Sequence, residues 1–434
     1  MGRGDLVIVG GAEILHRAPI FSRFVELAGG GNGRFVILAS ATRKPISEFE
    51  KLRRWLAEAG ADPTRVEMLE VSQFIPGMEK GAWNAAEQER LARADGLWML
   101  GGDQNLTTSL LREADGRDTP LLAAIRQRAA KPRIEGGLVL GGTSAGAAIM
   151  SDPMIGGGTS FGALALPRAS GAASVEMSRA LYVLPGFGFF AEGMIDQHFD
   201  TRARFARLLE ASLVEDGARR LAFGIDEATA LVQEGAASRI SVVGAGGISI
   251  IDPRQAKRSM VQTAAGARVQ IEGVLFHYLS SGDGFFPSTE SFDFGGKELI
   301  QVDDAAFASD FPEASGILSP YGTFAQFAAR MLLDNDPELL FKDILRGRRY
   351  ARSLLVEEVP SAQGGKVPLA WEIRVGRASG LSGGIMPKSL ALSQGERSEG
   401  ERLGNREARL YYDGRFSFEN VYVDILPIGI EIRR

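Results

Sequence analysis

Ser144 stands in Gly142-x-Ser144-x-Gly146, after the apolar run Leu138 to Leu140 and ahead of small apolar residues that suit a helix. Strand, sharp turn and helix with one hydroxyl at the apex is the pattern of a nucleophile elbow. Glycines two positions either side of the serine suit such a turn, because a Cβ there would collide with the adjoining strand and helix. An ordinary glycine-rich turn uses the same residue types. A serine nucleophile needs a base within hydrogen-bond reach, since its free hydroxyl is hardly ionised at neutral pH. The chain has 3 histidines. His16 lies in the first helix region and His277 in a late β region. His198, in Ile195-Asp-Gln-His-Phe199 ahead of three arginines, is the expected base.

A third group should orient the imidazole and favour the imidazolium. The carboxylates between Ser144 and His198 are Asp152, Glu176, Glu192 and Asp196. Asp196 could orient His198 or bind substrate. Glu176 preserves the order serine, acid, histidine. Arg202, Arg204 and Arg207 offer forked donors for carboxylates. On a helix over Thr201 to Leu209 they would spread over angles of about 140° to about 160°, so they form no narrow stripe. They could surround a pocket if the first turn is irregular, or form a solvated basic face.

The elements that must position these groups alternate. Strand-like runs at Leu6 to Val9, Arg34 to Ser40, Arg65 to Val71, Gly96 to Leu100 and Leu138 to Leu140 are separated by helical spacing at Ala18 to Leu27, Ile46 to Ala59, Ala82 to Ala94, Asn105 to Leu111 and Pro120 to Ala130. Short apolar strands between such helices indicate βαβ units and a mostly parallel sheet sandwiched by helices. Functional groups gather at the carboxyl ends of its strands, where the Gly101-Gly102 and Gly141-Gly142 turns both lie. The cluster at Gly29 to Gly33 precedes a strand instead of opening a helix, so it reads as a loop and not a dinucleotide site.

Residues 151–175 read as a long glycine-rich loop, a lid or a surface insertion. Strands are expected at Leu181 to Leu184 and Ala222 to Glu227, and hairpin material at Arg239 to Ile251 and Ala267 to Leu279. Beyond about 290 the pattern changes. Helices are expected at Tyr321 to Leu333 and Pro337 to Leu345, β character at Ser353 to Val359, Leu369 to Val375, Ala408 to Tyr412 and Phe416 to Ile425. Asp413-Gly414 reads as a hairpin turn, and Ala378 to Glu407 as a mobile run. We divide the chain into a catalytic domain, residues 1–290, and an accessory α+β module, residues 291–434.

A net charge of −5 gives no reason to expect nucleic acid or an anionic membrane as partner. The absence of cysteine removes disulfides, thiolate catalysis and cysteine-ligated metals. No apolar run approaches the roughly 20 residues of a membrane span, and no leader pattern opens the chain, so a cytoplasmic, soluble protein is expected.

Several motifs occur in the order seen in one family: Gly101-Gly-Asp-Gln104, Gly142-Thr-Ser-Ala-Gly-Ala147, Asp196-Gln-His-Phe199 with Arg202, Arg204 and Arg207, and Gly224-Ile-Asp-Glu227. Val9-Gly-Gly-Ala-Glu13 and Tyr278-Leu-Ser-Ser-Gly-Asp283 are also similar. Over roughly residues 5–290 the chain resembles the cyanophycinases, serine peptidases of the group that includes aspartyl dipeptidase. The resemblance implies a class I glutamine amidotransferase-like, flavodoxin-like α/β fold. It implies cleavage of cyanophycin, a poly-aspartate carrying arginine on each β-carboxyl, to β-aspartyl-arginine dipeptides. The resemblance makes Ser144 the nucleophile and His198 the base, and puts Glu176, ahead of that histidine, in the place of the family's acid. Gln104, Asp196, Gln197, Arg202, Arg204 and Arg207 match the substrate pocket. Backbone N–H groups of Ala145 and of the Gly102-Asp103 turn are expected to hold the oxyanion. No metal or organic cofactor is implied, and the family suggests a homodimer. A dipeptidase for short aspartyl or isoaspartyl peptides and a catalytically silent cyanophycin-binding protein are the competing readings.

Overall fold

The structure is a computed structural model that describes residues 4–13, 17–166, 179–214, 220–235, 239–263, 266–300, 324–325, 328, 350–360, 366–377, 409–412 and 415–428. β1 (Leu6–Val9), α1 (Arg17–Leu27), β2 (Phe35–Leu38), α2 (Pro45–Glu58), β3 (Val66–Leu69), α3 (Ala85–Arg93), β4 (Gly96–Met99), α4 (Gln104–Leu111), α5 (Pro120–Ala129) and β5 (Val139–Thr143) follow the alternation expected. The five strands lie side by side in the order β3-β2-β4-β5-β1, every pair parallel.

Both faces of this sheet are covered, which is why its strands read as unbroken apolar runs. Leu6, Ile8, Val36 and Leu38 enter one core, and Val7, Val9, Phe35 and Ile37 enter the other. In the second core the Trp98 ring lies 4.9 Å from both Phe21 and Phe24. Gly141 leaves room for that indole, since a Cβ there would come within 2.2 Å of it.

After the elbow come α6 (Ala145–Ala148), β6 (Met154–Gly157), α7 (Ser160–Ala165), β7 (Tyr182–Leu184), β8 (Gly193–Asp196), α8 (Phe205–Val214) and β9 (Leu221–Ile225). The stretch expected as a loop from 151 thus carries a strand and a helix in its described part. β6 pairs antiparallel with β7, and the Thr159 hydroxyl caps α7 by accepting the Gly162 N–H at 3.0 Å. The glycines of β6 are not linker residues. A Cβ on Gly156 or Gly157 would strike the Tyr182 ring, at 2.2 Å and 2.6 Å.

The rest is β structure: β10 (Thr229–Gln233), β11 (Ile240–Gly244), β12 (Gly247–Asp252), β13 (Lys257–Thr263), β14 (Gly266–Ser280), β15 (Gly284–Phe286), β16 (Ser291–Asp293), β17 (Glu298–Ile300), β18 (Tyr350–Pro360), β19 (Lys366–Arg377), β20 (Arg409–Tyr412) and β21 (Phe416–Ile428). β10, β11, β15 and β16 add antiparallel beside β1 and make a nine-stranded sheet. A second sheet of ten strands runs β17-β20-β21-β14-β12-β9-β8, with β13 on β14 and the β18–β19 hairpin on β21. β11 and β12 do not form a hairpin with each other. The chain passes between them from one sheet to the other.

Strand pairing is continuous across residue 290: β21 lies antiparallel to β14 from Ile271↔Ile425 to Tyr278↔Phe418. Trp371, Phe418, Val421, Val423 and Ile425 share one core with Phe205 of α8 and Phe276 of β14. The helices expected at Tyr321 to Leu333 and Pro337 to Leu345 lie outside the described residues except 324–325 and 328. So do the run 378–407 and the Asp413-Gly414 turn. Among the described residues no helix is long and apolar enough to cross a membrane.

Candidate active site

The C-terminal ends of β1, β5, β8 and β9 converge, although two belong to each sheet. Backbone hydrogen bonds hold them together: Ser144 N–H to Val9 O at 3.0 Å, His198 N–H to Gly10 O at 2.7 Å, and Ala228 N–H to Gly11 O at 2.7 Å. Seven non-glycine residues have positive φ among those described, and five of them (Ala12, Ser144, His198, Ala203 and Ala228) lie on these turns. Such conformations cost energy and persist where surrounding structure enforces them, often at functional sites.

Ser144, at φ 52° and ψ −109°, sits between β5 and α6. Its flanking glycines are required sterically. A Cβ on Gly142 would lie 2.4 Å from the Gly146 carbonyl oxygen, and one on Gly146 would lie 2.1 Å from that of Met99. Ser144 Oγ is 2.9 Å from His198 Nε2. Gly11 clears the imidazole, since a Cβ there would come within 2.3 Å of its Cε1.

On the other side of the ring, His198 Nδ1 is 2.5 Å from Glu227 Oε1. With Nδ1–H donating to Glu227, Nε2 accepts from the Ser144 hydroxyl. Glu176 lies outside the described residues; the carboxylate against the imidazole is Glu227. Its position follows from β8 and β9 being parallel with Asp196 opposite Gly224, so residues just past the two strand ends arrive together. Gly224 serves the same junction, because a Cβ would meet the Phe199 ring at 2.4 Å. Burial lowers the pKa of His198, Glu227 works against that, and Arg202 and Arg204 lower it further.

The arginines take three different positions. Helix α8 begins only at Phe205, because Ala203 at φ 49° breaks helical geometry; the expected helix from Thr201 is therefore a turn as far as Arg204. Arg202 is exposed. Arg204 Nη1 donates to Gln197 O at 2.5 Å and to Gln197 Oε1 at 2.8 Å; among the described residues its Nε and Nη2 have no acceptor. Arg207 is buried, with Nε and Nη2 donating to the Asp196 oxygens at 2.7 and 2.6 Å and Nη1 to Gly158 O at 2.6 Å. Burial alone would push the Asp196 carboxyl up, but Arg207 and then Arg204 hold it below the usual range. Asp196 and Arg207 are thus committed to each other, and Gln104 donates to the carbonyls of Ile155 and Gly156 at 3.0 and 2.9 Å. These bonds tie α4, β6, β8 and α8 to one another beside the site.

Of the expected oxyanion donors, the Ala145 and Gly102 N–H groups carry no hydrogen bond among the described residues. The Asp103 N–H is engaged by Ala41 O at 2.9 Å, and its side chain caps α4. Glu13, noted in sequence only as part of a motif, accepts the Thr143 hydroxyl at 2.8 Å, next to the nucleophile. Burial raises its pKa.

No protein-family model matches the chain. A cyanophycinase of Geminocystis herdmanii is 34% identical over 283 residues, 65% of this chain and 93% of that protein. One of Synechococcus elongatus is 32% identical, covering 65% of this chain and 78% of its own, and one of Trichormus variabilis 32%, covering 64% and 84%. Among solved structures, a peptidase from an acI-B1 Actinobacterium is 20% identical with a TM-score of 0.41, covering 57% of this chain and 91% of that one. The chain belongs to the cyanophycinase family of peptidases.

Proposed function

We propose that the protein is a serine exopeptidase that hydrolyses cyanophycin to β-aspartyl-arginine dipeptides through an acyl-enzyme. The observation that carries this reading is the chain of hydrogen bonds from Ser144 Oγ to His198 to Glu227, on the chemistry that serine acyl transfer needs. His198 Nε2 takes the Ser144 proton as Oγ adds to the main-chain amide carbonyl that follows a dipeptide unit. Glu227 stabilises the imidazolium. The oxyanion accepts N–H bonds from Ala145 and Gly102. His198 then protonates the leaving amine, and water activated by the same nitrogen cleaves the ester, regenerating the serine.

Substrate recognition in this reading uses the free edge of Arg204 and the exposed Arg202 for carboxylates, with Gln197 fixing Arg204. Asp196, Arg207 and Gln104 hold that arrangement in place. The catalytic unit of residues 1–290 acts as a dimer, as the family resemblance suggests, and the described strands β17 to β21 add to its second sheet.

Incubating the protein with insoluble cyanophycin and identifying soluble products by mass spectrometry tests the reading. Release of β-aspartyl-arginine is expected. Cleavage of short aspartyl or isoaspartyl peptides without release from the polymer would overturn the substrate but keep the chemistry.

A further inference from the structure

Glu227 is placed by its backbone. Among the described residues its carboxylate hydrogen-bonds only to His198, so the β9–β10 turn on either side of it must fix the acid. On one side the Ala228 N–H donates to Gly11 O at 2.7 Å. On the other stands Asp226, a buried carboxyl that takes no part in the mechanism above. Its N–H donates to Gly247 O at 3.1 Å. Its Oδ2 accepts the Gly247 N–H at 3.1 Å and the Tyr278 hydroxyl at 2.9 Å. Oδ1 is buried with no hydrogen-bond partner among the described residues, so those two donors hold the whole carboxyl group.

Tyr278 comes from β14, which is separated from β9 by β12. Its hydroxyl reaches Asp226 by crossing β12, and two glycines keep the path open. A Cβ on Gly247 would lie 2.4 Å from Tyr278 Cζ, and one on Gly246 would lie 2.9 Å from Asp226 Cβ. The Tyr278 ring is stacked in turn on the last strand, β21. Its centroid is 5.3 Å from that of Phe416 and 5.9 Å from that of Phe418, at interplanar angles of 26° and 27°. β21 is fastened at this same point. Buried Ser417 donates to the Asp283 carboxylate. Buried Lys297 donates to Ser417 Oγ at 3.0 Å, to Ser280 Oγ at 2.8 Å and to Asp283. Stacked rings, hydroxyl and carboxyl thus run as one path from β21 to the residue before Glu227.

A hydrogen bond from a buried hydroxyl to a buried carboxyl is strong and directional, and removing the donor strands the acceptor. We propose that Tyr278 and Asp226 form a brace that holds Glu227 against His198, and that β21 seats this brace through Phe416 and Phe418. Tyr278 and Asp226 are positioning residues; they act through Glu227 and not on the reacting atoms. A strand more than a hundred residues beyond the triad in sequence is then part of what aligns it.

The proposal rests on Glu227 serving His198, as in the reading above, and is independent of the substrate. The test is the rate at which a fluorophosphonate labels Ser144, followed across pH with melting temperature measured in parallel. Tyr278→Phe removes one hydroxyl and keeps the stacked ring. It should label about tenfold more slowly than wild type at neutral pH. Its acid limb should also move to lower pH: burial lowers the His198 pKa, Glu227 opposes this, and a displaced Glu227 opposes it less. Phe416→Leu, which loses a stacking ring, should slow labelling about threefold. Both losses should vanish in a Glu227→Gln background, where the group being positioned is already disabled. Tyr278→Phe labelling within about twofold of wild type, an acid limb that stays in place, or an equal loss with and without Glu227 would overturn the proposal. An unchanged rate in Phe416→Leu would overturn the part given to β21. Glu227→Gln labelling at the wild-type rate would instead remove Glu227 as the acid, and the brace with it.

Discussion

Glu227 Oε1 lies 2.5 Å from His198 Nδ1, across two parallel strands whose ends deliver both residues to one point. The carboxylate fixes which ring nitrogen carries the proton. Glu227→Gln should keep the fold and lower kcat by about 10³- to 10⁴-fold, since an amide can hold the wrong tautomer. Dipeptide release with the melting temperature measured in parallel checks this; a loss below about tenfold would move the acid elsewhere.

Ser144→Ala removes the nucleophile while leaving the elbow glycines intact. Hydrolysis should fall by at least about 10⁴-fold with no loss of thermal stability. Near-normal turnover would end the acyl-enzyme reading.

Because burial and the nearby arginines lower the His198 pKa, the base is already neutral at neutral pH. The acid limb of the kcat/KM profile should therefore fall below the ordinary imidazole value, activity rising with pH as the ring deprotonates. A limb centred at or above about pH 7 would contradict the site's electrostatics.

Arg207 and Asp196 separate structure from recognition. Arg207→Met strands a buried carboxylate and should destabilise the protein by about 3–5 kcal/mol. Adding Asp196→Asn should recover part of that loss in denaturant melts. Arg204→Ala, by contrast, should impair dipeptide release with little effect on Ser144 labelling; loss of labelling would give Arg204 a structural role.

The elbow was legible in the sequence because its pattern is local: Gly142 is fixed by a contact inside one strand-turn-helix unit, with the Gly146 carbonyl, although Gly146 is fixed by Met99 of the neighbouring strand β4. The alternation that builds the parallel strands was legible for the same reason, since each element carries its own periodicity. Glu227 was not assigned. Its motif stood out, but its role depends on β8 and β9 being neighbours in register, which no local pattern states. The turn at Arg202 to Arg204 was hidden because helix-forming residues there are overridden by the positive φ of Ala203. Likewise Asp196 and Arg207 read as pocket residues by type, and only burial shows that they neutralise each other.

The pairing of β21 with β14 has a consequence for how the molecule is made. The flank of β14 meets its partner only after 140 to 154 further residues have been added, as Tyr278 pairs with Phe418 and Ile271 with Ile425. During synthesis, at about 5–20 residues per second, the second sheet therefore waits with an open edge and an uncovered apolar face. The nascent chain is most vulnerable to aggregation in that interval, and the last strand is what ends it.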